Sequence, residues 1–292
     1  MADLLPEIRE ICRLFEIKPA RSKGQNFLIN ERIYEDIVAA ADLKTDDTVL
    51  EIGPGLGFLT LKLAKKVKRV IAVELDDKLA NYLQMGIDAQ NIENVEIVNE
   101  DILRFNLETQ LTPQEKYKIV ANLPYNISSI FLRTFLTSLR KPESFVLMLQ
   151  KEVAERIIAT PPDMSLLALS VQYYADAVII REVKAGNFWP EPKVDSAIIK
   201  LTVKSEKIVE SKEISNNKTS VLEDKLFFRL AKMGFSAKRK MLKNNLAGGL
   251  KMEQKNIAEI LVKNKFNPLV RAEDLNLDDW LKLFAALREF MV

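Results

Sequence analysis

"VLEIGPGLGFLT" occupies positions 49–60, and its reading decides the fold. Val49, Leu50 and Ile52 make an apolar run suited to a buried strand, three glycines follow at alternate positions, and Leu59 and Leu63 then share one face of an amphipathic stretch. Strand, glycine turn and helix is how a βαβ unit begins. Glycines at 53, 55 and 57 let the backbone turn sharply and approach a ligand where a Cβ would collide. The spacing is G-x-G-x-G with Pro54 inside, which departs from the dinucleotide fingerprint G-x-G-x-x-G.

Outward from this stretch the same alternation recurs. Apolar, β-branched runs at Val49–Ile52, Val70–Val73, Val95–Val98, Ile119–Ala121, Phe145–Leu149, Val178–Ile180 and Ala197–Val203 are separated by amphipathic segments. The pattern predicts an α/β fold with a seven-stranded, mostly parallel sheet flanked by helices. Leu79 and Leu83 share a face, Lys62, Lys65 and Lys66 mark solvent, and Asn30-Glu31 reads as a helix start leading into Ile33, Ile37 and Val38. Residues 204–220, KSEKIVESKEISNNKTS, are polar and read as a linker. Helical spacing resumes with Leu226, Leu230 and Met233, then Leu242 and Leu246, and ends around Trp280–Leu287; Gly248 and Gly249 are expected to interrupt it. The expected organisation is a domain over 1–203, with a basic N-terminal arm over 1–25, the linker, and a small helical domain over 221–292.

Composition narrows the chemistry. Among 292 residues there is no histidine and one cysteine, Cys12. Histidine bases and triads, histidine metal sites, cysteine zinc clusters and an internal disulfide are excluded, so no metal is expected. No apolar run approaches the roughly 18 residues of a membrane span, and Asp3, Glu7, Glu10 and Glu16 are wrong for a signal peptide. The chain reads as cytoplasmic with no membrane partner. Net charge is only +2, but Lys225–Lys251 holds eight Lys or Arg residues and no acid.

The glycine turn does not stand alone. Glu74 ends the next strand, 21 residues beyond Gly53, where a carboxylate can accept from both hydroxyls of a ribose. Nicotinamide-dependent enzymes and methyltransferases that use S-adenosylmethionine share this much. Asp101, after the third strand, could accept from an adenine amine, and Asn122 follows the fourth. Gly53, Gly55, Glu74, Asp101 and Asn122 thus gather at the carboxyl ends of successive strands, the edge where open α/β sheets bind ligands.

"NLPYNIS" at 122–128 suits methylation of an exocyclic adenine amine. That nitrogen is planar and a poor nucleophile, and an acceptor on each of its hydrogens draws it towards tetrahedral geometry. The Asn122 side chain and the Leu123 carbonyl are two adjacent acceptors; Pro124 fixes the backbone and Tyr125 offers a face for stacking. Acceptor dipoles and an aromatic face around a nitrogen that turns positive favour the transition state, with no strong base needed.

Together with these stretches, "GQNFL" (24–28), "VELD" (73–76), "EDIL" (100–103), "LQKEVAER" (149–156), "FWPEPKVDSAIIKL" (188–201), "FSAKRKMLKNNL" (235–246) and "RAEDL" (271–275) make an ordered set over nearly the whole chain. The chain resembles the ribosomal RNA adenine dimethyltransferases, in particular the small-subunit branch linked to kasugamycin sensitivity. The resemblance implies a Rossmann-like, S-adenosylmethionine-dependent methyltransferase domain with a small helical C-terminal domain. It implies methyl transfer to N6 of two adjacent adenines in the 3′-terminal hairpin loop of small-subunit (16S-type) rRNA, by a monomer acting on an immature 30S-type particle. It assigns Asn26, Leu28, Gly53, Glu74, Asp101 and Asn122 to the cofactor, Asn122–Tyr125 to the target base, and Phe188 to the opposite side of that base. Such a base has to leave its stack.

The acid-free segment adds an electrostatic footprint for phosphates, densest at Lys238, Arg239, Lys240 and Lys243, which Arg9, Arg13, Lys18, Arg21 and Lys23 could extend. "DMSLLALSVQYY" at 163–174 departs from the family's usual tyrosine-glycine pair, so a local change of helix packing is expected there. The rival readings are a large-subunit adenine methyltransferase of the antibiotic-resistance type and a non-catalytic assembly or transcription factor on the same fold. The extended form of 188–201 argues against the first, and the complete Asn122–Tyr125 set and glycine loop against the second.

Overall fold

The computed structural model describes residues 3–19, 25–204 and 217–291. They fall into two compact units: residues up to Ala154 together with Asp176–Val203, and Glu155–Ala175 together with the residues from Lys204 onward. Residues 155–175, which the sequence places inside a continuous 1–203 domain, therefore group with the C-terminal unit. Of the expected linker, 205–216 lies outside the described residues, and Asn217 already begins a helix.

In chain order the strands are β1 (Phe27–Leu28), β2 (Thr48–Ile52), β3 (Arg69–Glu74), β4 (Val95–Asn99), β5 (Lys118–Asn122), β6 (Ser144–Gln150), β7 (Ala175–Val183), β8 (Phe188–Trp189) and β9 (Ser196–Val203). The described residues form a seven-stranded sheet in the order β4-β3-β2-β5-β6-β9-β7, and all seven expected runs are in it. From β4 to β6 the strands are parallel; β9 runs antiparallel to β6. Central strands are buried along most or all of their length, β2 entirely, which is why they read as mostly apolar runs. The edge strand β7 alternates between buried or half-buried and exposed positions. A second, two-stranded sheet pairs β1 with β8, with Leu28 opposite Phe188.

The first unit's helices are α1 (Leu5–Leu14), α2 (Glu31–Ala40), α3 (Phe58–Ala64), α4 (Asp77–Ala89) and α5 (Ser128–Thr137). Side chains define two starts. Asn30 caps α2 by accepting from the Arg32 amide, and Asp76 caps α4 by accepting from the Lys78 and Leu79 amides. Ile33, Ile37, Leu59, Leu63 and Leu79 drive these helices into one core with the sheet; each buried aliphatic side chain contributes roughly 1.5–3 kcal/mol.

After α6 (Lys151–Ile157), the C-terminal unit is built from α7 (Leu166–Tyr174), α8 (Asn217–Gly234), α9 (Leu242–Leu250), α10 (Gln254–Lys263) and α11 (Leu277–Leu287). Tyr173 and Tyr174, in the segment that departs from the family pattern, both donate to Asp224 of α8 and join an aromatic cluster with Phe227 and Phe228. Gly248 and Gly249 do not interrupt the helical pattern; they lie inside α9, which ends at Lys251 in the left-handed region. At Gly249 the reason is close packing between helices, since a Cβ there would sit 2.5 Å from Met233 Cγ of α8, whereas a Cβ on Gly248 would meet nothing within 4 Å. No helix of the described residues is long and apolar enough to cross a membrane.

Candidate active site

The sheet order brings the strand-end residues together. Because β4, β3, β2 and β5 are neighbours, Asp101, Glu74, Gly53 and Asn122 follow one another along a single carboxyl edge. There they line one cleft of about 300 Å³, with Asn26, Leu28, Gly55, Leu123, Pro124 and Tyr125. Every residue expected to hold the cofactor is in it.

The floor is the glycine turn. Gly53, Gly55 and Gly57 have φ of +64°, +58° and +84°, a conformation that disfavours any side chain. Space matters as well at Gly55, where a Cβ would come within 3.3 Å of Phe27 Cε1. Glu74, 5% exposed, accepts from the Gly55 amide at 3.1 Å and the Asp76 amide at 2.9 Å. Burial raises its pKa, and these amides offset only part of the rise. With roughly four acceptor positions on a carboxylate, about two remain for a ligand diol. Asp101 shapes its own turn by accepting from the Leu103 amide.

At the other end Asn122 donates through Nδ2 to the Asn26 carbonyl at a long 3.5 Å, which turns Oδ1 into its acceptor for anything in the cleft. The Leu123 amide donates to Met148 on β6, fixing the backbone ahead of Pro124. Tyr125 is half-buried and its hydroxyl shares a 2.6 Å hydrogen bond with Ser196 on β9. Burial raises the phenol's pKa and Ser196 opposes the shift, so the ring presents a neutral face.

Phe188 is the exception among the expected site residues. It is 3% exposed, packs in the core of the first unit, and is not part of the cleft lining. Its place on β8 opposite Leu28 makes it a support for the strand that lines the cleft. Among the basic residues, Lys238, Arg239 and Lys240 are exposed on the turn between α8 and α9, and Lys243 is half-buried on α9. Arg13 is engaged by Glu10, Arg9 lies over the Trp189 ring, and Arg21 and Lys23 fall outside the described residues.

Sequence reasoning passed over Glu51, in the middle of the deciding stretch. It lines the cleft, is 1% exposed, and its Oε2 has no hydrogen-bond partner among the described residues. Burial pushes its carboxyl up to about 8; Thr60 opposes this without completing a hydrogen bond of regular geometry, and Glu74 adds to it. The signal was legible: an acid inside an otherwise apolar run. Gln25 and Asp76 also line the cleft and meet through Gln25 Nε2 and Asp76 Oδ2.

These features fit S-adenosylmethionine. A glycine floor admits close approach, Glu74 and Asp101 offer acceptors to hydroxyls and an amine, and Glu51 Oε2 is left without a partner among the described residues at the cleft wall. A parallel-dominated seven-stranded sheet with such a cleft at its carboxyl edge defines a Rossmann-like methyltransferase. Among solved structures, the chain is similar to a dimethyladenosine transferase from Plasmodium falciparum (28% identity, TM-score 0.72, covering 91% of this chain and 98% of that one). It is similar also to the 23S rRNA methyltransferase ErmE (25%, TM-score 0.71, 90% and 100%). Curated relatives named ribosomal RNA small subunit methyltransferase A include those of Dehalococcoides mccartyi strain CBDB1 (42% identical, 96% of this chain and 92% of that one) and Clostridium botulinum strain Okra (36%, 94% and 96%). The model of the ribosomal RNA adenine dimethylase family matches residues 18–289. The chain belongs to that family.

Proposed function

We propose that the protein transfers methyl groups from S-adenosylmethionine to N6 of two adjacent adenines in the 3′-terminal hairpin loop of small-subunit rRNA, giving dimethyladenosines. One observation carries the reading: Asn122, Leu123, Pro124 and Tyr125 line the same cleft as Glu74 and Asp101. The residues expected to hold the base and those expected to hold the cofactor thus share one cleft, which supports the reading.

S-adenosylmethionine, when bound, supplies an electrophilic methyl group on a sulfonium. Gly53, Gly55, Glu74, Asp101, Asn26 and Leu28 bind it. Asn122 Oδ1 and the Leu123 carbonyl accept from the two amine hydrogens and turn the nitrogen's lone pair towards the methyl. Tyr125 stacks on the base. Phe188, buried on β8 and absent from the cleft lining, would form the second wall of a sandwich only once its ring is exposed to the cleft.

The names borne by the curated relatives favour the small-subunit substrate, and the likeness to ErmE keeps the large-subunit rival in view. The same reading has the protein act as a cytoplasmic monomer on an immature 30S-type particle, with Lys238, Arg239, Lys240 and Lys243 of the helical domain on RNA phosphates. Labelled S-adenosylmethionine and immature small-subunit particles test it. Label is expected as dimethyladenosine in the small-subunit RNA; label on large-subunit RNA, or none despite cofactor binding, rejects the reading.

A further inference from the structure

Ser196 is fully buried on β9, opposite Gln150 of β6, and its hydroxyl meets the Tyr125 hydroxyl at 2.6 Å across 71 residues of chain. The preceding residue holds it in place. The Asp195 carbonyl accepts from the Lys151 amide at 2.9 Å, Oδ1 accepts from the Ala185 amide at 3.0 Å, and Oδ2 pairs with Lys184. The Tyr125 hydroxyl is therefore tied to a strand that cannot shift independently of the sheet.

A tyrosine hydroxyl lies on the axis running from Cβ through the ring. Pinning it therefore fixes where the ring's far end lies and the direction of the ring axis, and so limits how far the face against which a base can stack tilts. We infer that Ser196 is a positioning residue that acts through Tyr125 and is needed most for the second methyl transfer to each adenine. The inference rests on the reading that Asn122–Tyr125 hold the target amine.

The asymmetry follows from counting hydrogens. An unmodified amine offers two N–H groups, one each for Asn122 Oδ1 and the Leu123 carbonyl. After one methylation a single N–H remains, so one acceptor loses its hold and the Tyr125 face carries a larger share of the orientation. A ring free to tilt harms that second step more than the first.

The test uses the full chain, S-adenosylmethionine and immature small-subunit particles, with N6-monomethyl- and dimethyladenosine quantified over time. Ser196→Ala is expected to raise the mono-to-dimethyl ratio by about tenfold, the loss of one ordinary hydrogen bond, with cofactor affinity unchanged. Tyr125→Phe removes the same bond from the other end, leaves the buried serine intact, and is expected to do the same, so the result does not hang on the folding of one variant. The double variant should be no worse than either single. An unchanged ratio in Tyr125→Phe, or effects that multiply in the double variant, overturns the inference while leaving the methyl-transfer reading standing. An unaltered protein that modifies no small-subunit RNA overturns both.

Discussion

The Gly55 amide donates to Glu74 Oε2 at 3.1 Å, so the acid that ends β3 holds the glycine turn that follows β2. One residue thus braces the floor of the cleft and lines it, where the proposed function has it hold the cofactor. Glu74→Ala is expected to lower S-adenosylmethionine affinity by about 10–100-fold, since hydrogen bonds to a charged group contribute roughly 1.5–3 kcal/mol each. Titration calorimetry checks this. Glu74→Gln, which keeps one acceptor oxygen, should fall between.

Glu51 makes stability depend on pH. Its carboxyl titrates near 4.5 in the unfolded chain and about 8 when folded, so between those values the native state holds a proton that the unfolded state has released. Stability therefore falls as pH rises from 4.5 to 8, by up to about 1.4 kcal/mol per unit, and levels off above. Glu51→Gln lacks this dependence. Urea unfolding at pH 5, 6.5 and 8 should find the variant gaining on the parent at each step, whereas parallel profiles would mean that Glu51 is ionised in the native state.

Two glycines should respond oppositely to alanine. Gly57 sits at φ +84°, and an added Cβ would lie 2.4 Å from Leu83 Cδ1, so Gly57→Ala should cost at least about 1–2 kcal/mol. Gly86 is inside α4 with open space for 4 Å around the point a Cβ would occupy, so Gly86→Ala should add up to about 1 kcal/mol. Thermal unfolding separates them: one midpoint falls and the other rises.

Why these features differed in legibility is physical. Val49–Ile52, Val70–Val73, Ile119–Ala121 and Phe145–Leu149 could be read because the parallel strands in the middle of the sheet are buried on both faces and therefore mostly apolar. Glu74, Asp101 and Asn122 could be placed because each closes such a run. The β1–β8 ladder could not: two residues are too few for a period, and Leu28 and Phe188 are 160 positions apart. Phe188 was placed beside the base by the resemblance alone, and without that ladder its packing in the core of the first unit could not be read. Gly249 misled because close helix packing, invisible in one dimension, calls for the same residue as a turn; nothing in the structure explains the glycine at 248.

Asn122→Ala removes Oδ1 while leaving the Leu123 carbonyl and the Tyr125 ring. Turnover should fall by at least about 100-fold, comparable to the loss of one preorganised group around a developing charge, with RNA affinity preserved. Single-turnover methylation alongside a filter-binding measurement distinguishes the two effects. Near-normal turnover would remove the side chain from the reaction.

Lys238, Arg239 and Lys240 are exposed on the turn between α8 and α9, and no ion pair engages them among the described residues. The turn is braced from beneath, because Asn245 Nδ2 donates to the Gly234 and Ala237 carbonyls and Phe235 stacks on Trp280. Three unpaired cations on a rigid support should each release counterions on meeting phosphates. Replacing all three with alanine is therefore expected to weaken RNA binding and to reduce the slope of log affinity against log salt, by roughly 0.7–0.9 for each phosphate no longer neutralised. Binding measured across a salt series reads both quantities. A lower affinity with an unchanged slope would assign the loss to altered packing of the turn, and an unchanged affinity would leave these residues facing solvent.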